Sequence, residues 1–424
     1  MPVLSPTSAF SRITALAAQR PIHAAFAWLH SNPKIIMDWQ VELAAIPAPP
    51  LGEQARAQWL AQRFSNAGLS RVEIDAAGNV LGILPASHLP PDSSGPIILL
   101  SAHIDTVFPA GTPIEPVLNG DRLEAPGASD NAVGVAGLLA VVHSLLYSGV
   151  DLPAPLATLG NVGEEGEGDL RGVRYVYEHS ALAGRIAAHI VLDGPGADTA
   201  VTQALGSRRY KVTITGPGGH SFTDAGIPNP IAALASALAV LAETPLPEEP
   251  RTTLNLGTIH GGISVNSIPE SAQAAVDFRS TDPNQLARLE AALHRAVEDA
   301  VEHCNAKSKA LESNAMETGP RRRLSFAVSK IGDRPTAQLP DDSPLLATLR
   351  AVDRHLGLCT DLRLGSTDAN IPLSLGVPAL SIGAGGEGGA AHTLHEWYSP
   401  KNRELALKRV LLLTLAMLEW AAEQ

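Results

Sequence analysis

Ile97-Ile98-Leu99-Leu100-Ser101-Ala102-His103-Ile104-Asp105-Thr106 is an apolar run that closes on a histidine and an aspartate. An unbroken stretch of branched aliphatic residues reads as a strand buried on both faces. His103 and Asp105 stand two apart, so on an extended backbone they share a face. In an open α/β sheet the carboxyl ends of the strands border the ligand crevice. A single His-x-Asp is a weak signal, but here it lies where such a fold keeps its chemistry.

The same pattern recurs on both sides of this strand. Residues 156–162 and 187–192 are further apolar runs, and 131–147 is an apolar, small-residue helix between strands. Upstream, 33–68 reads as helices closed by Gly68, and 72–75 with 80–84 reads as a hairpin. After Pro340 the alternation resumes with a helix from Pro344, a strand around 378–382 and a helix from Asn402. Strands alternating with helices predict an α/β layer built on a mainly parallel, mixed sheet. The pattern changes near Gly206. Residues 208–215, 230–242, 252–259, 272–279, 285–304 and 324–331 read as strand, helix, strand, strand, helix and strand. That βαββαβ order predicts a ferredoxin-like domain inserted into the larger one. The expected division is 1–206 and 336–424 for the larger domain and 207–335 for the insert.

Composition narrows the function classes. The chain has 424 residues, 45% of them apolar, which is enough for a large core. Acidic residues outnumber basic ones by 43 to 31, for a net charge of −12, which disfavours nucleic acid or an anionic membrane as partner. The run Arg321-Arg322-Arg323 is too short to reverse that and reads as a solvated strand edge. The cysteines, Cys304 and Cys359, are too few for a disulfide framework or a four-thiolate zinc site. No basic segment followed by a long apolar one opens the chain, and no apolar stretch has the length of a membrane span. A cytoplasmic location is therefore expected.

Other titratable residues follow the apolar runs. Asp130 opens the helix after the loop of Gly127, Glu164-Glu165 follow the strand ending near Val162, and Asp193 follows Leu192. His392 lies beyond the glycine-rich 383–389, with His395 and Glu396 close behind it. Each has an ordinary explanation alone: a helix cap, a solvated loop, a surface charge. Together they put His103, Asp105, Asp130, Glu164, Glu165, Asp193 and His392 at strand ends of one sheet. Such a carboxylate cluster repels itself unless cations compensate it. Nitrogen and oxygen donors without thiolate suit zinc, with manganese or cobalt as alternatives.

With these motifs, the Gly216-Pro217-Gly218-Gly219-His220-Ser221 turn, Asn266-Ser267-Ile268-Pro269, and Glu396 four residues after His392, the chain resembles the M20 family of dinuclear zinc peptidases and deacylases. The resemblance runs from about Trp39 to Trp420. It implies a zinc-exopeptidase-like catalytic domain, with the insert as a lid and dimerisation domain. It further implies His103 and Asp193 on one metal, Glu165 and His392 on the other, and Asp130 bridging both. A cis peptide at Asp130-Asn131 is implied as well. Asp105 would orient the imidazole of His103, and Glu164 would be the general base. His220 would reach across a homodimer to the partner's site and help hold the oxyanion. Asn266 and Arg279 would bind the polar end of the substrate, with an ion pair inside the lid as the other reading of Arg279. Residues 366–370 would line the site, and spacing to Glu396 favours His392 over His395 as ligand.

The reaction implied is hydrolysis of an amide by water activated between two zinc ions, without a covalent intermediate. No Gly-x-Ser-x-Gly elbow points to a serine hydrolase instead. The substrate that the resemblance implies is a short peptide, cut by a peptidase T-like exopeptidase, or an N-acyl amino acid, cut by a deacylase of the aminoacylase or acetylornithine type. Gly163 and the Gly166-Glu167-Gly168 that follows the glutamate pair depart from the common family pattern and leave that choice open.

Overall fold

The structure is a computed structural model that describes residues 6–88, 95–312 and 323–424. Residues 1–5 at the chain start, and Arg321 and Arg322 of the basic run, lie outside the described residues; Arg323 is exposed. The chain forms two compact units, Met1–Ala204 with Ala337–Gln424, and Leu205–Thr336.

The first unit is built on a nine-stranded mixed sheet. At its centre Ile97–His103 runs parallel to both Leu156–Asn161 and Ile186–Leu192, and Ile186–Leu192 runs parallel to Ala379–Ile382. Antiparallel pairs flank this parallel centre: the hairpin Ser70–Ile74 with Val80–Leu84 on one side, and Thr199–Ala204 against Ala379–Ile382 on the other. The run 97–103 is buried throughout, as its composition predicts. Ile98, Leu100 and Ala102 join one core cluster, and Ile97 and Leu99 join another across the sheet. The larger cluster is covered by Ala132–Ser148 and Arg403–Ala422 and by helices near the amino terminus; the smaller is covered by Arg171–His179. Helix Ala132–Ser148 is apolar on nearly every side because helices and sheet enclose it.

Sequence periodicity did not reveal several elements. Helices Pro6–Ala17 and Arg20–Ser31 pack into the same core, and Thr199–Ala204 and Asp361–Gly365 extend the sheet. A small sheet of Val117–Asn119, Arg122–Glu124, Glu387–Gly389 and Trp397–Ser399 carries the glycine-rich loop. Its strands are too short to show an alternation.

The second unit is a four-stranded antiparallel sheet in the order Thr253–Gly261, Ser271–Ser280, Gly206–Thr215, Ser325–Arg334. With helices Pro230–Ala242 and Pro283–Glu312 as its crossovers, this is the ferredoxin-like βαββαβ arrangement. Period-two burial along Ser271–Ser280 puts Ala272, Ala274, Val276 and Phe278 against Leu234, Leu289 and Leu293 of the two helices.

Candidate metal centre

Three parallel strands deliver the first part of the site. His103 ends its strand in register with Asn161 of the next, and Asp193 follows the last residue of Ile186–Leu192. Asp193 is anchored by its amide on the Ile382 carbonyl at 3.0 Å. Asp130 is set by the helix start beside it. The Asn131 side chain caps helix Ala132–Ser148, accepting from the amides of Gly134 and Gly194 at 3.1 Å each, and donates to the Leu192 carbonyl at 2.8 Å. A Cβ on Gly134 would lie 2.3 Å from Asn131 Oδ1, so only glycine lets the cap fold over the first turn. The Asp130-Asn131 peptide is cis. Glu164 and Glu165 follow the turn at Gly163, whose φ of +67° favours glycine.

These residues converge. His103 Nε2 lies 3.1 Å from Asp130 Oδ1 and 3.7 Å from Asp193 Oδ1. His392 Nε2 lies 2.9 Å from Asp130 Oδ2 and 3.2 Å from Glu165 Oε1. The edge of a tetrahedron with bonds of about 2 Å is about 3.3 Å. Donor atoms at these separations can therefore surround a cation of zinc's size with little movement. Asp130 offers one oxygen to each histidine, and its Oδ1 is buried without a hydrogen-bond partner among the described residues. The donors fall into His103, Asp130 and Asp193 on one side and Asp130, Glu165 and His392 on the other; Glu164 joins His103 and Glu165 in a third group, the donor atoms of each group lying within 4.8 Å of one another. His395 is exposed and takes no part in these groups.

The electrostatics are those of closely crowded charges of both signs. Burial and the Asp130 charge push the Glu165 carboxyl up to about 7. The hydrogen bond to Asp130, with the Glu165 charge nearby, holds the His392 imidazolium up to about 9. Burial works against ionisation of both His103 and Asp130, yet His103 is held well above and Asp130 below its ordinary range, each stabilising the other's charge. Groups of both signs thus stabilise one another, and a cation held by them would compete with these protons.

Behind these groups lies a buried polar layer. Asp105 was expected to hydrogen-bond His103. Its carboxylate is 3.6 Å from Nδ1, which instead lies 3.2 Å from the Asp105 carbonyl. The carboxylate oxygens accept the amides of Glu164 at 3.0 Å and Glu165 at 2.8 Å, so Asp105 fixes the glutamate turn as well as facing the imidazole. Glu396 is fully buried and accepts from the amides of Gly127 and Ser129 at 2.7 Å each and Asp130 at 2.8 Å, and from Ser129 Oγ at 2.7 Å. Sequence reading missed Asn161 and gave Glu396 only as a spacing mark. Asp368, within the segment 366–370, is buried and accepts from Asn161 Nδ2 at 2.7 Å; burial pushes its carboxyl up to about 7.

The second unit holds the remaining candidates. Gly219–His220 pairs with Ser267–Ile268, and the Ser221 amide bonds the Asn266 carbonyl at 3.1 Å, so His220 and Asn266 share one end of this unit. His220 is exposed, and its Nδ1 accepts from the amides of Phe222 at 3.2 Å and Thr223 at 3.3 Å, which leaves Nε2 to carry the proton. Arg279 is not with them. It lies opposite Ser207 near the far end of Ser271–Ser280, about 27 Å along the strand from Ser271 at about 3.4 Å per residue. Its Nε bonds Asp277 at 2.7 Å, the ion pair that was its second reading.

The profile of peptidase family M20/M25/M40 matches residues 99–416. The chain is 29% identical over 203 residues to succinyl-diaminopimelate desuccinylase of Thiobacillus denitrificans, covering 44% of this chain and 52% of that one. It is 29% identical over 237 residues to a probable carboxypeptidase of Aspergillus flavus, covering 50% and 53%. The chain thus spans about half the length of the curated relatives it matches. Among solved structures, a tripeptidase from Staphylococcus aureus superposes with a TM-score of 0.68 at 21% identity, covering 92% of this chain and 98% of that one. A dinuclear metal-binding M20 peptidase from Bacillus subtilis superposes with a TM-score of 0.59 at 14% identity, covering 93% and 99%. At these identities the solved structures bear on the fold.

Proposed function

The chain belongs to peptidase family M20/M25/M40, and from that premise we propose that it is a dinuclear metallohydrolase cutting an amide bond in short peptides, as an exopeptidase of the peptidase T kind. The observation that carries the reading is the Asp130 carboxylate, whose oxygens face different histidines, His103 and His392. In this reading His103 and Asp193 would hold one cation, Glu165 and His392 the other, and Asp130 both. Zinc fits the donor set, with manganese or cobalt as alternatives. Such ions, when bound, would supply Lewis acidity, lowering the pKa of a water toward about 7 and polarising the scissile carbonyl.

The chain's own residues do the rest. Glu164, buried beside His103 and Glu165, takes a proton from the attacking water and returns it to the leaving amine. Asp105 holds the amides of Glu164 and Glu165 and so fixes where that base points. His220 donates from Nε2 to the developing oxyanion of the partner subunit's site in a homodimer formed through Leu205–Thr336. Exposed Leu256 and Ile259 on the edge strand Thr253–Gly261 support such an interface. Asn266 and Arg279 are the residues assigned to the substrate's polar end, with the Arg279–Asp277 ion pair inside this unit as the other reading of Arg279. No helix among the described residues is long and apolar enough to cross a membrane, and we place the enzyme in the cytoplasm, without a nucleic-acid or membrane partner.

The desuccinylase among the relatives favours a second reading, an N-acyl-amino-acid deacylase with the same centre. A hydrolysis screen of di- and tripeptides against N-acetyl and N-succinyl amino acids, with added zinc, manganese or cobalt, separates them. Peptide turnover with inert acyl amino acids supports the exopeptidase. Acetate or succinate release with inert peptides selects the deacylase. No metal uptake and no turnover of either class sinks both.

A further inference from the structure

We propose that Arg56 is a positioning residue for the metal centre, a single buried guanidinium that braces the backbone between His103 and Asp105 and serves as counter-charge to both Asp105 and Glu396. The proposal rests on the two-cation reading of that site.

Helix Gln54–Ala67 turns Arg56 inward with Ala57, Leu60 and Phe64, and the residue is fully buried. A charge in such a place is retained only when its surroundings compensate it. Its Nε donates to the Ile46 carbonyl at 2.8 Å and its Nη1 to the Ile104 carbonyl at 3.0 Å. Ile104 is the one residue between His103 and Asp105, and its amide is held by the Asn161 carbonyl at 2.8 Å. Both peptide groups that orient His103 and Asp105 are thereby tied down, one of them by Arg56.

The third nitrogen, Nη2, is buried and donates no hydrogen bond among the described residues. It lies beside Gly127: a Cβ there would be 3.5 Å from Nη2 and 2.8 Å from Thr106 Cγ2. Gly127 is also the residue whose amide bonds Glu396 Oε2 at 2.7 Å. Burial pushes the guanidinium down to about 10, while the charges of Asp105 and Glu396 oppose that, so it stays a cation at neutral pH.

Asp105 and Glu396 have corresponding tasks. Each is fully buried, and each spends its oxygens on backbone amides of the loops that carry candidate ligands: Glu164 and Glu165 for the first, Gly127, Ser129 and Asp130 for the second. Neither carboxylate forms a salt bridge with a Lys or Arg among the described residues. Anionic acceptors hold amides more tightly than neutral ones. Arg56 is the buried cation whose charge reaches both. It therefore couples the His103 half of the centre to the Asp130 half without touching a ligand.

The test measures zinc affinity by competition with a chromophoric chelator in wild type, Arg56→Met and Arg56→Lys, with the melting temperature of each protein read with and without zinc. Loss of an outer partner of a metal ligand typically costs 10- to 100-fold in affinity. Arg56→Met is expected to lose about that much for both ions, and its zinc-induced rise in melting temperature should shrink. Arg56→Lys keeps the charge but cannot span the carbonyls of Ile46 and Ile104 with a fork, so a smaller loss at both ions is expected. Should Arg56→Met fail to fold, Arg56→Lys decides alone: a loss at both ions supports the proposal and wild-type affinity overturns it. A merely structural arginine would lower the melting temperature equally with and without zinc and leave affinity unchanged, which also overturns it. Wild-type protein that binds none of zinc, manganese or cobalt overturns the two-cation reading and the proposal with it; wild type that binds two ions, matched by both variants, overturns the proposal alone.

Discussion

The carboxylate of Glu396 accepts the amide of Asp130 at 2.8 Å across 266 residues of sequence, and the same oxygen takes the amide and hydroxyl of Ser129. A buried carboxylate thus sets the pose of the one residue that faces both histidines. Truncating it would leave several buried donors without an acceptor, each costing about 1–3 kcal/mol. Glu396→Ala is expected to lose about 3 kcal/mol or more of stability and 10- to 100-fold in metal affinity. Chemical denaturation and a chelator competition check this; unchanged affinity in the folded variant would contradict the role.

Glu164 stands apart from the predicted ligands in what its loss should do. Glu164→Ala is expected to retain near wild-type metal content, measured by elemental analysis, while turnover falls by about 10²- to 10⁴-fold, the usual contribution of a general base. Activity within tenfold of wild type would take Glu164 out of the mechanism.

His220 keeps its Nδ1 occupied by backbone amides, so its donor is Nε2. His220→Ala is expected to cost about 10²- to 10³-fold in kcat, the scale of one oxyanion donor, with metal affinity unchanged. Mixing this variant with Asp130→Ala protein should restore part of the activity, because a mixed dimer would hold one intact site. A mixture as inactive as its parents would leave the cross-subunit role without support.

The metal-free protein should also show a defined pH dependence. Partnered by Asp130, His392 is raised from 6.5 to about 9 on folding. A raised pKa gives stability that is complete below the unfolded value and lost as pH climbs through the folded one. Glu165, raised from 4.5 to about 7 chiefly by burial, adds a loss between those two values, because the folded state resists its ionisation. The melting temperature of chelator-treated protein should therefore fall from about pH 5 to pH 9. The upper part of that fall should shrink in His392→Ala, leaving the share of His103, which is also raised. Added zinc should stabilise more as pH rises, since protons compete with the metal for the imidazole. A flat profile in the metal-free wild type would show that His392 gains no partner there.

Much of this was legible in the chain itself. The run 97–103, the helix after Asn131 and the βαββαβ order of the insert follow from period and composition, because burial on two faces, one face or a stripe each leaves its own spacing of apolar residues. The ligand-type residues were visible too, since each stands just past an apolar strand or opens a helix. Short elements were not: three-residue strands such as Trp397–Ser399 and Arg122–Glu124 are held by pairing rather than by pattern.

The sequence thus determined the layers, the insert and the kinds of side chain at the strand ends, all of which depend on neighbours within a few residues. Only the tertiary structure decided how those side chains are shared. It set Asp130 between His103 and His392, turned the Asp105 carboxylate to the amides of Glu164 and Glu165, buried Arg56 beside Gly127, and put Arg279 far along the strand from the His220 end. The contact of His392 with Asp130 spans 262 residues. No local periodicity encodes such a distance; it exists because parallel strands and a buried carboxylate bring the two ends to one crevice.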